Sequence, residues 1–200
     1  MIPWLSQHYV EVLGVVFSML YLYFSIRRNI LLWPMGIISA LLYMVVFFQS
    51  RFYADMGLNV YYFFISIYGW IIWKKGRSGD GSEPMPVSRI SLKHGLILLA
   101  ITAAVFLGTG FILSRYTDSP IPFWDAFTTA LSFTATWMLA RKILEHWILW
   151  IIVDIVSMGL YLYRGLYPTM VLFAIYTTMA VIGLIEWKKE YSRNMNPHGS

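Results

Sequence analysis

Long apolar blocks alternate with short polar breaks along this chain. Seven blocks, about 9–26, 30–49, 54–73, 94–113, 124–140, 146–163 and 166–186, reach or approach the length that crosses a bilayer, which is about 20 mostly apolar residues for a helix. The hydrocarbon of a bilayer offers no water to the peptide groups, so each block is predicted to be a helix. The expected fold class is therefore all-α and integral to a membrane, with seven transmembrane helices.

The one hydrophilic linker, Lys74 to Arg89, reads KKGRSGDGSEPMPVSR. Its Gly, Ser and Pro content marks a flexible loop. Sequence on the two sides of it partly repeats. Trp33, Tyr53, Tyr62, Gly69, Trp73, Lys74 and Lys75 find Trp150, Tyr167, Tyr176, Gly183, Trp187, Lys188 and Lys189. From Tyr53 onward the offset is a constant 114, which also pairs Glu11 with Asp125, Ser18 with Ser132, Arg27 with Arg141 and Arg51 with Gly165. The Trp33–Trp150 match alone needs a short gap. A three-helix unit has been duplicated. An odd-numbered unit repeated directly would be inverted, but the extra helix at about 94–113 restores its orientation. The expected arrangement is two parallel three-helix repeats joined by a linker helix: residues 1–76, then the loop and linker helix at 77–115, then 116–200. Transporters of that construction hold substrate near the midplane, between the repeats.

Composition agrees. The chain of 200 residues is 58% hydrophobic and 12% charged, against roughly a quarter charged in soluble domains. It has no cysteine, which excludes disulfides, thiolate nucleophiles and zinc–thiolate sites. The net charge of +5 is explained by topology and not by nucleic acid. With the N-terminus outside, twelve of the 15 Lys and Arg residues fall in inner loops, and only Arg51, Arg115 and Arg164 fall in outer ones. That is the positive-inside pattern, and it puts the C-terminus in the cytoplasm. The first apolar block follows Glu11 and lacks a basic start, so no signal peptide is expected.

Chemistry concentrates at Asp154, a lone carboxylate inside the apolar stretch His146 to Tyr163. An acid at that depth is costly and is kept mainly where it lines a pathway or binds something. Trp147, Trp150 and Asp154 are spaced to share one helical face. Indole faces beside an anion suit a flat organic cation. On the third helix Asn59, Tyr62 and Ser66 form a polar stripe, and on the fifth Thr129, Ser132 and Thr136 form another. These stripes are expected at overlapping depths, although Ser and Thr also glue helices together. Other features have plainer readings. Tyr21, Tyr23, Trp70, Trp73 and Trp187 are expected to be belt or packing residues. Gly14, Ser18, Gly36, Ser39, Gly108 and Gly110 are expected to let helices approach. Glu11, Asp55, Asp125, Glu145 and Glu186 sit at helix ends, where structure or solvation accounts for them.

These residues resemble the PnuC family of bacterial vitamin transporters. The likeness rests on Trp147-x-x-Trp150-x-x-x-Asp154 with Asn59-x-x-Tyr62, and on YGWIIW at Tyr68 to Trp73, PFWD at Pro122 to Asp125 and RKILEHWILW at Arg141 to Trp150. The resemblance implies a SWEET-like fold, residence in the bacterial inner membrane and uptake of nicotinamide riboside, thiamine or riboflavin. It also carries vitamin binding onto Trp147, Trp150, Asp154, Asn59 and Tyr62. Family members that take nicotinamide riboside have an amide side chain where this chain has Ser66. An amide pairs with the nicotinamide carboxamide better than a hydroxyl does, so the sequence narrowly favours thiamine, with nicotinamide riboside as the alternative.

A membrane enzyme is the rival class. The chain has no HExxH helix, GxSxG elbow or Walker-A loop, and its histidines, His8, His94, His146 and His198, are dispersed. His146 is expected to be a solvated residue at the cytoplasmic boundary. No catalytic residue, metal site or cofactor is expected. A vitamin sensor or the binding subunit of a larger transporter is a third reading, which the duplicated scaffold disfavours. Asp154 has no second central acid or histidine as a relay partner, so facilitated diffusion is expected. A cytoplasmic vitamin kinase would trap the product as a metabolic partner; the remaining partners are the lipid bilayer and the vitamin itself, and self-association is left open.

Overall fold

The computed structural model describes residues 2–49, 53–77, 79–117, 119–163, 165 and 167–195, with the side chains of 2–8, 11, 53–55 and 168 left aside. The described residues form seven helices: α1 Ile2–Ile26, α2 Leu32–Gln49, α3 Tyr53–Lys75, α4 Leu92–Tyr116, α5 Pro122–Ala140, α6 His146–Tyr163 and α7 Tyr167–Met195. Five contain stretches long and apolar enough to cross a membrane: Leu32–Gln49, Met56–Lys75, Leu92–Tyr116, His146–Tyr163 and Thr169–Met195. Arg51 and Arg164, two of the three basic residues assigned to outer loops, lie outside the described residues, as do the side chains of Glu11, Tyr53 and Asp55.

The chain forms two compact units, Met1–Pro86 and Val87–Ser200. In the first, α2 packs against both α1 and α3; in the second, α4 lies on α5, α5 on α6 and α6 on α7. The linker helix α4 thus belongs with the second three helices. Along its contact with α5 the Thr102 and Thr134 hydroxyls lie 2.6 Å apart, and Gly110 faces Phe123 and Ala126. Most of its remaining side chains, including Leu96, Leu99, Leu107 and Phe111, are exposed within the unit. An apolar surface of that kind is stable in lipid and not in water.

Duplication is written into the backbone. Arg28 (φ 56°) ends the α1 turn and Lys142 (φ 51°) ends the α5 turn, 114 residues apart. Left-handed geometry is uncommon outside glycine, so its recurrence at equivalent places marks a shared turn. The turns close alike, Arg28 N–H donating to the Ser25 carbonyl and Lys142 N–H to that of Leu139.

Tryptophan packing corrects the register of the repeat. A Cβ on Gly69 would run into the Trp33 ring, and one on Gly183 would run into the Trp147 ring. Trp33 meets Trp73 edge-on at 5.5 Å, and Trp147 meets Trp187 edge-on at 6.0 Å. The partner of Trp33 is therefore Trp147 at the same offset of 114, and not Trp150. The repeat needs no gap. Trp73 and Trp187, expected as belt or packing residues, are packing residues, buried in these clusters.

Polar contacts tie the end of the loop to the second unit. Ser88 donates its N–H to the Lys142 carbonyl and accepts from Leu144 N–H. Glu145 accepts from Arg89 Nε at 2.8 Å and from Ile90 N–H at 3.1 Å. Its carboxylate raises the Arg89 pKa through that hydrogen bond. Ser91 then caps α4 by accepting from His94 N–H. Asp125 accepts a short hydrogen bond from Ser119 at the start of α5, and Glu186 pairs with Lys189 at 2.9 Å. Three of the helix-end acids are structural.

Candidate functional site

The candidate residues fall into two groups, one in each unit. In the second unit they are on α6, the middle helix of its repeat. Asp154 is 5% exposed, and among the described residues none gives its carboxylate a hydrogen bond or an ion pair. An ionised carboxylate so placed is expensive without a counter-charge.

The two tryptophans of the motif differ. Trp147 is 1% exposed, with its ring against Gly183 and its edge toward Trp187. Trp150 is half-buried, and no other ring among the described residues contacts it. An indole held as Trp147 is held has one orientation, whereas Trp150 retains an uncommitted face. His146 overturns the expectation of a solvated boundary residue. It is fully buried, 4.6 Å from both Trp147 and Trp187 by ring centroids. Its Nδ1 lies 2.7 Å from the Ile143 carbonyl; a carbonyl only accepts, so Nδ1 carries the proton. The bare Nε2 and the Trp147 Nε1 have no hydrogen-bond partner among the described residues.

On α5 the stripe is mostly spent on packing. Ser132 and Thr136 are buried, and Thr136 donates to the Ser132 carbonyl at 2.8 Å. Thr129 is half-buried. A hydroxyl that bonds the carbonyl four residues back is satisfied within its own helix.

In the first unit Asn59 and Ser66 are buried and Tyr62 is half-buried. Ser66 is packed tightly: a Cβ on Gly36 would sit 3.0 Å from its Oγ and 2.9 Å from Tyr21 Cδ2. Tyr21, expected as a belt or packing residue, is a packing residue, the edge of its ring lying at Gly36 beside the Ser66 hydroxyl. Small residues behave mostly as expected. Ser18 and Ser39 hydroxyls are 2.7 Å apart across α1 and α2, and Gly14 accommodates Tyr43. Gly108 has nothing within 4 Å, so it permits no close approach within its unit.

Apolar spanning helices, a repeated three-helix unit and a buried acid within a spanning helix define an integral membrane protein of the transporter class. A family model described as nicotinamide mononucleotide transporter matches residues 8–189. The chain belongs to that family, the PnuC family of vitamin transporters. It is 26% identical over 202 residues to the nicotinamide riboside transporter PnuC of Escherichia coli, covering 90% of this chain and 84% of that one. It is 23% identical over 200 residues to the riboflavin/roseoflavin transporter RibM of Streptomyces davaonensis, covering 96% and 91%. The crystal structure of the vitamin B3 transporter PnuC superposes with a TM-score of 0.74 at 23% identity, covering 94% of this chain and 84% of that one. That likeness establishes the fold.

Proposed function

We propose that this protein carries nicotinamide riboside across the bacterial inner membrane by facilitated diffusion. Asp154 carries the proposal: a buried acid, the one carboxylate of a mainly apolar helix and one turn from the half-buried Trp150, suits a ligand that brings its own positive charge. In the second unit Trp150 and Asp154 would take the cationic ring, with Trp147 as the packed residue that fixes their helix; in the first unit Asn59, Tyr62 and Ser66 are separate candidates for hydrogen bonding. Ser132, Thr129 and Thr136 are second candidates, weakened by the packing role of the α5 stripe.

Relatives named for nicotinamide riboside support that vitamin over thiamine. From sequence, the case for thiamine is that Ser66 offers a hydroxyl, on a shorter side chain, in place of an amide. Packing against Gly36 gives a separate reason for a small residue there, so its size is no guide to the ligand. Electrostatics also favours the riboside over the mononucleotide of the family description. A phosphate seeks Arg or Lys, and the only basic residues of α3 and α6 are Lys74 and Lys75, at the very end of α3.

Transport is favoured over a binding subunit or an enzyme because the relatives are named as transporters. No second titratable group pairs with Asp154 on α6, which favours diffusion driven by cytoplasmic phosphorylation of the product. The basic residues at Arg27, Arg28, Lys74, Lys75, Arg141 and Lys142 favour a cytoplasmic placement of those turns, with the N-terminus outside.

The test is a titration of purified protein with nicotinamide riboside, thiamine and riboflavin, read by tryptophan fluorescence, with uptake into liposomes containing no other protein. Tightest binding of nicotinamide riboside, with uptake that equilibrates and does not accumulate, is expected. Tighter thiamine binding would reverse the vitamin assignment. Binding without uptake would favour the binding-subunit reading.

A further inference from the structure

The two units end their third helices differently. At the repeat offset of 114, Lys74 and Lys75 correspond to Lys188 and Lys189. In the first unit the helix stops there. Gly76 takes a φ of 66°, Gly81 donates its N–H to the Lys75 carbonyl, and Arg77 donates its own to that of Glu83. A Cβ on Gly76 would collide with the Glu83 carbonyl oxygen. The second unit has Glu190 at that position, a residue that resists the left-handed turn, and α7 continues to Met195.

The continuation carries a face that the first unit lacks. Ile185, Lys188, Lys189, Ser192 and Arg193 recur at helical spacing and line an open recess of about 550 Å³. Arg193 stands where the first unit has Gly79. Glu186 pairs with Lys189 at 2.9 Å, but neither it nor Glu190 lines the recess. Among the described residues Lys188 and Arg193 have no ion-pair partner, and both are exposed. Ile185 is 49% exposed, so the recess is apolar at one end and cationic at the other. From Lys188 to Arg193 a helix rises about 7 Å, comparable to the headgroup layer of about 5–7 Å on one side of a bilayer. A lysine pair is enough to orient a helix, and the first unit has that pair. The third cation, the hydroxyl and the longer helix exceed that need.

We propose that this face of α7 binds the phosphate of an anionic phospholipid. Lys188 and Arg193 supply the counter-charge, Ser192 a hydrogen-bond donor, and Ile185 an apolar contact for the start of the acyl chain. A soluble phosphate would meet the same cations, but it gains nothing from the exposed isoleucine beside them. The assignment is independent of the vitamin carried.

Native mass spectrometry of the full chain, released from detergent with equal phosphatidylglycerol and phosphatidylcholine, tests it. Wild-type protein should retain phosphatidylglycerol in preference. Lys188→Gln combined with Arg193→Gln should cut that preference about 25-fold, about fivefold for each cation removed from an anionic surface, with the lipid-free unfolding midpoint unchanged. Lys188→Arg combined with Arg193→Lys, which keeps both charges, should retain it. So should Lys74→Gln combined with Lys75→Gln. An equal loss in that last pair would reduce the effect to general surface charge and overturn the site. Wild-type protein without the preference, or a Lys188→Gln, Arg193→Gln protein that keeps it, would overturn it as well. Displacement of the lipid by inorganic phosphate beyond that by chloride at equal ionic strength would assign the face to a soluble phosphate and overturn the lipid assignment.

Discussion

The two three-helix units share a scaffold and differ in chemistry. At one level they match residue for residue: Trp33, Gly69 and Trp73 in the first, Trp147, Gly183 and Trp187 in the second, each with a tryptophan ring laid on a glycine. About one turn further along the middle helix the likeness ends. The first unit has Gly36 and Ala40 where the second has Trp150 and Asp154. Rings pinned on glycines are costly to alter, because protein interiors are close-packed. Positions beyond the pinned rings were free to diverge, and there the units acquired their separate polar groups. Shared residues mark the frame of the repeat, and unshared ones mark where a ligand is to be sought.

The largest effect should come from breaking the frame. Trp187 is fully buried between His146 and Trp147, so Trp187→Ala should lower stability by about 3–5 kcal/mol, as large-to-small core substitutions do. Trp73→Ala, its counterpart, should be similarly harmful. Thermal unfolding in detergent measures both, and a mild effect would mean that the clusters do not hold the units together.

Asp154→Asn comes next, on ligand and not on fold. Losing the charge partner of a cation should weaken nicotinamide riboside binding by about 2–3 kcal/mol, with little change in the unfolding midpoint. Equal affinity in a well-folded variant would return Asp154 to a structural role.

Ser66→Gln sharpens the difference between the units, since its counterpart is Ala180. Ser66 is 3% exposed against Gly36, so the longer side chain should overpack at about 1–3 kcal/mol. Riboside and thiamine should weaken together. A shifted ratio between them would show that position 66 selects the ligand after all. Trp150→Ala should have the smallest effect of these variants. Loss of one aromatic face costs about 1 kcal/mol of affinity for a cation, which isothermal titration measures, while the unfolding midpoint should stay unchanged. Stability loss as large as that of Trp187→Ala would abolish the distinction between frame and face.

Much of this was legible in the chain. Apolar blocks predicted seven helices, because a membrane imposes length and hydrogen bonding on every segment that crosses it. Boundaries were less legible: α1 begins at Ile2 and α7 runs to Met195, past the blocks at 9–26 and 166–186. Apolar content records where lipid begins, while helical hydrogen bonding continues through polar residues such as Lys188 to Ser192. The offset of 114 was equally plain in sequence. What sequence could not rank were the two tryptophans of His146-Trp147-Ile148-Leu149-Trp150, since both are the same residue on the same helical face.

Sequence alone therefore sufficed for the membrane class, the duplicated unit, the family resemblance and the isolation of Asp154. Each depends on composition, spacing or periodicity along one chain, and the bilayer acts on all of them directly. Which indole is pinned, that His146 is buried and that Tyr21 and Ser66 meet at Gly36 are matters of contact between helices. Such contacts follow from how neighbouring surfaces fit, a property that no single segment carries, so they emerged only when Gly69, Gly183 and Gly36 were seen against the rings that cover them.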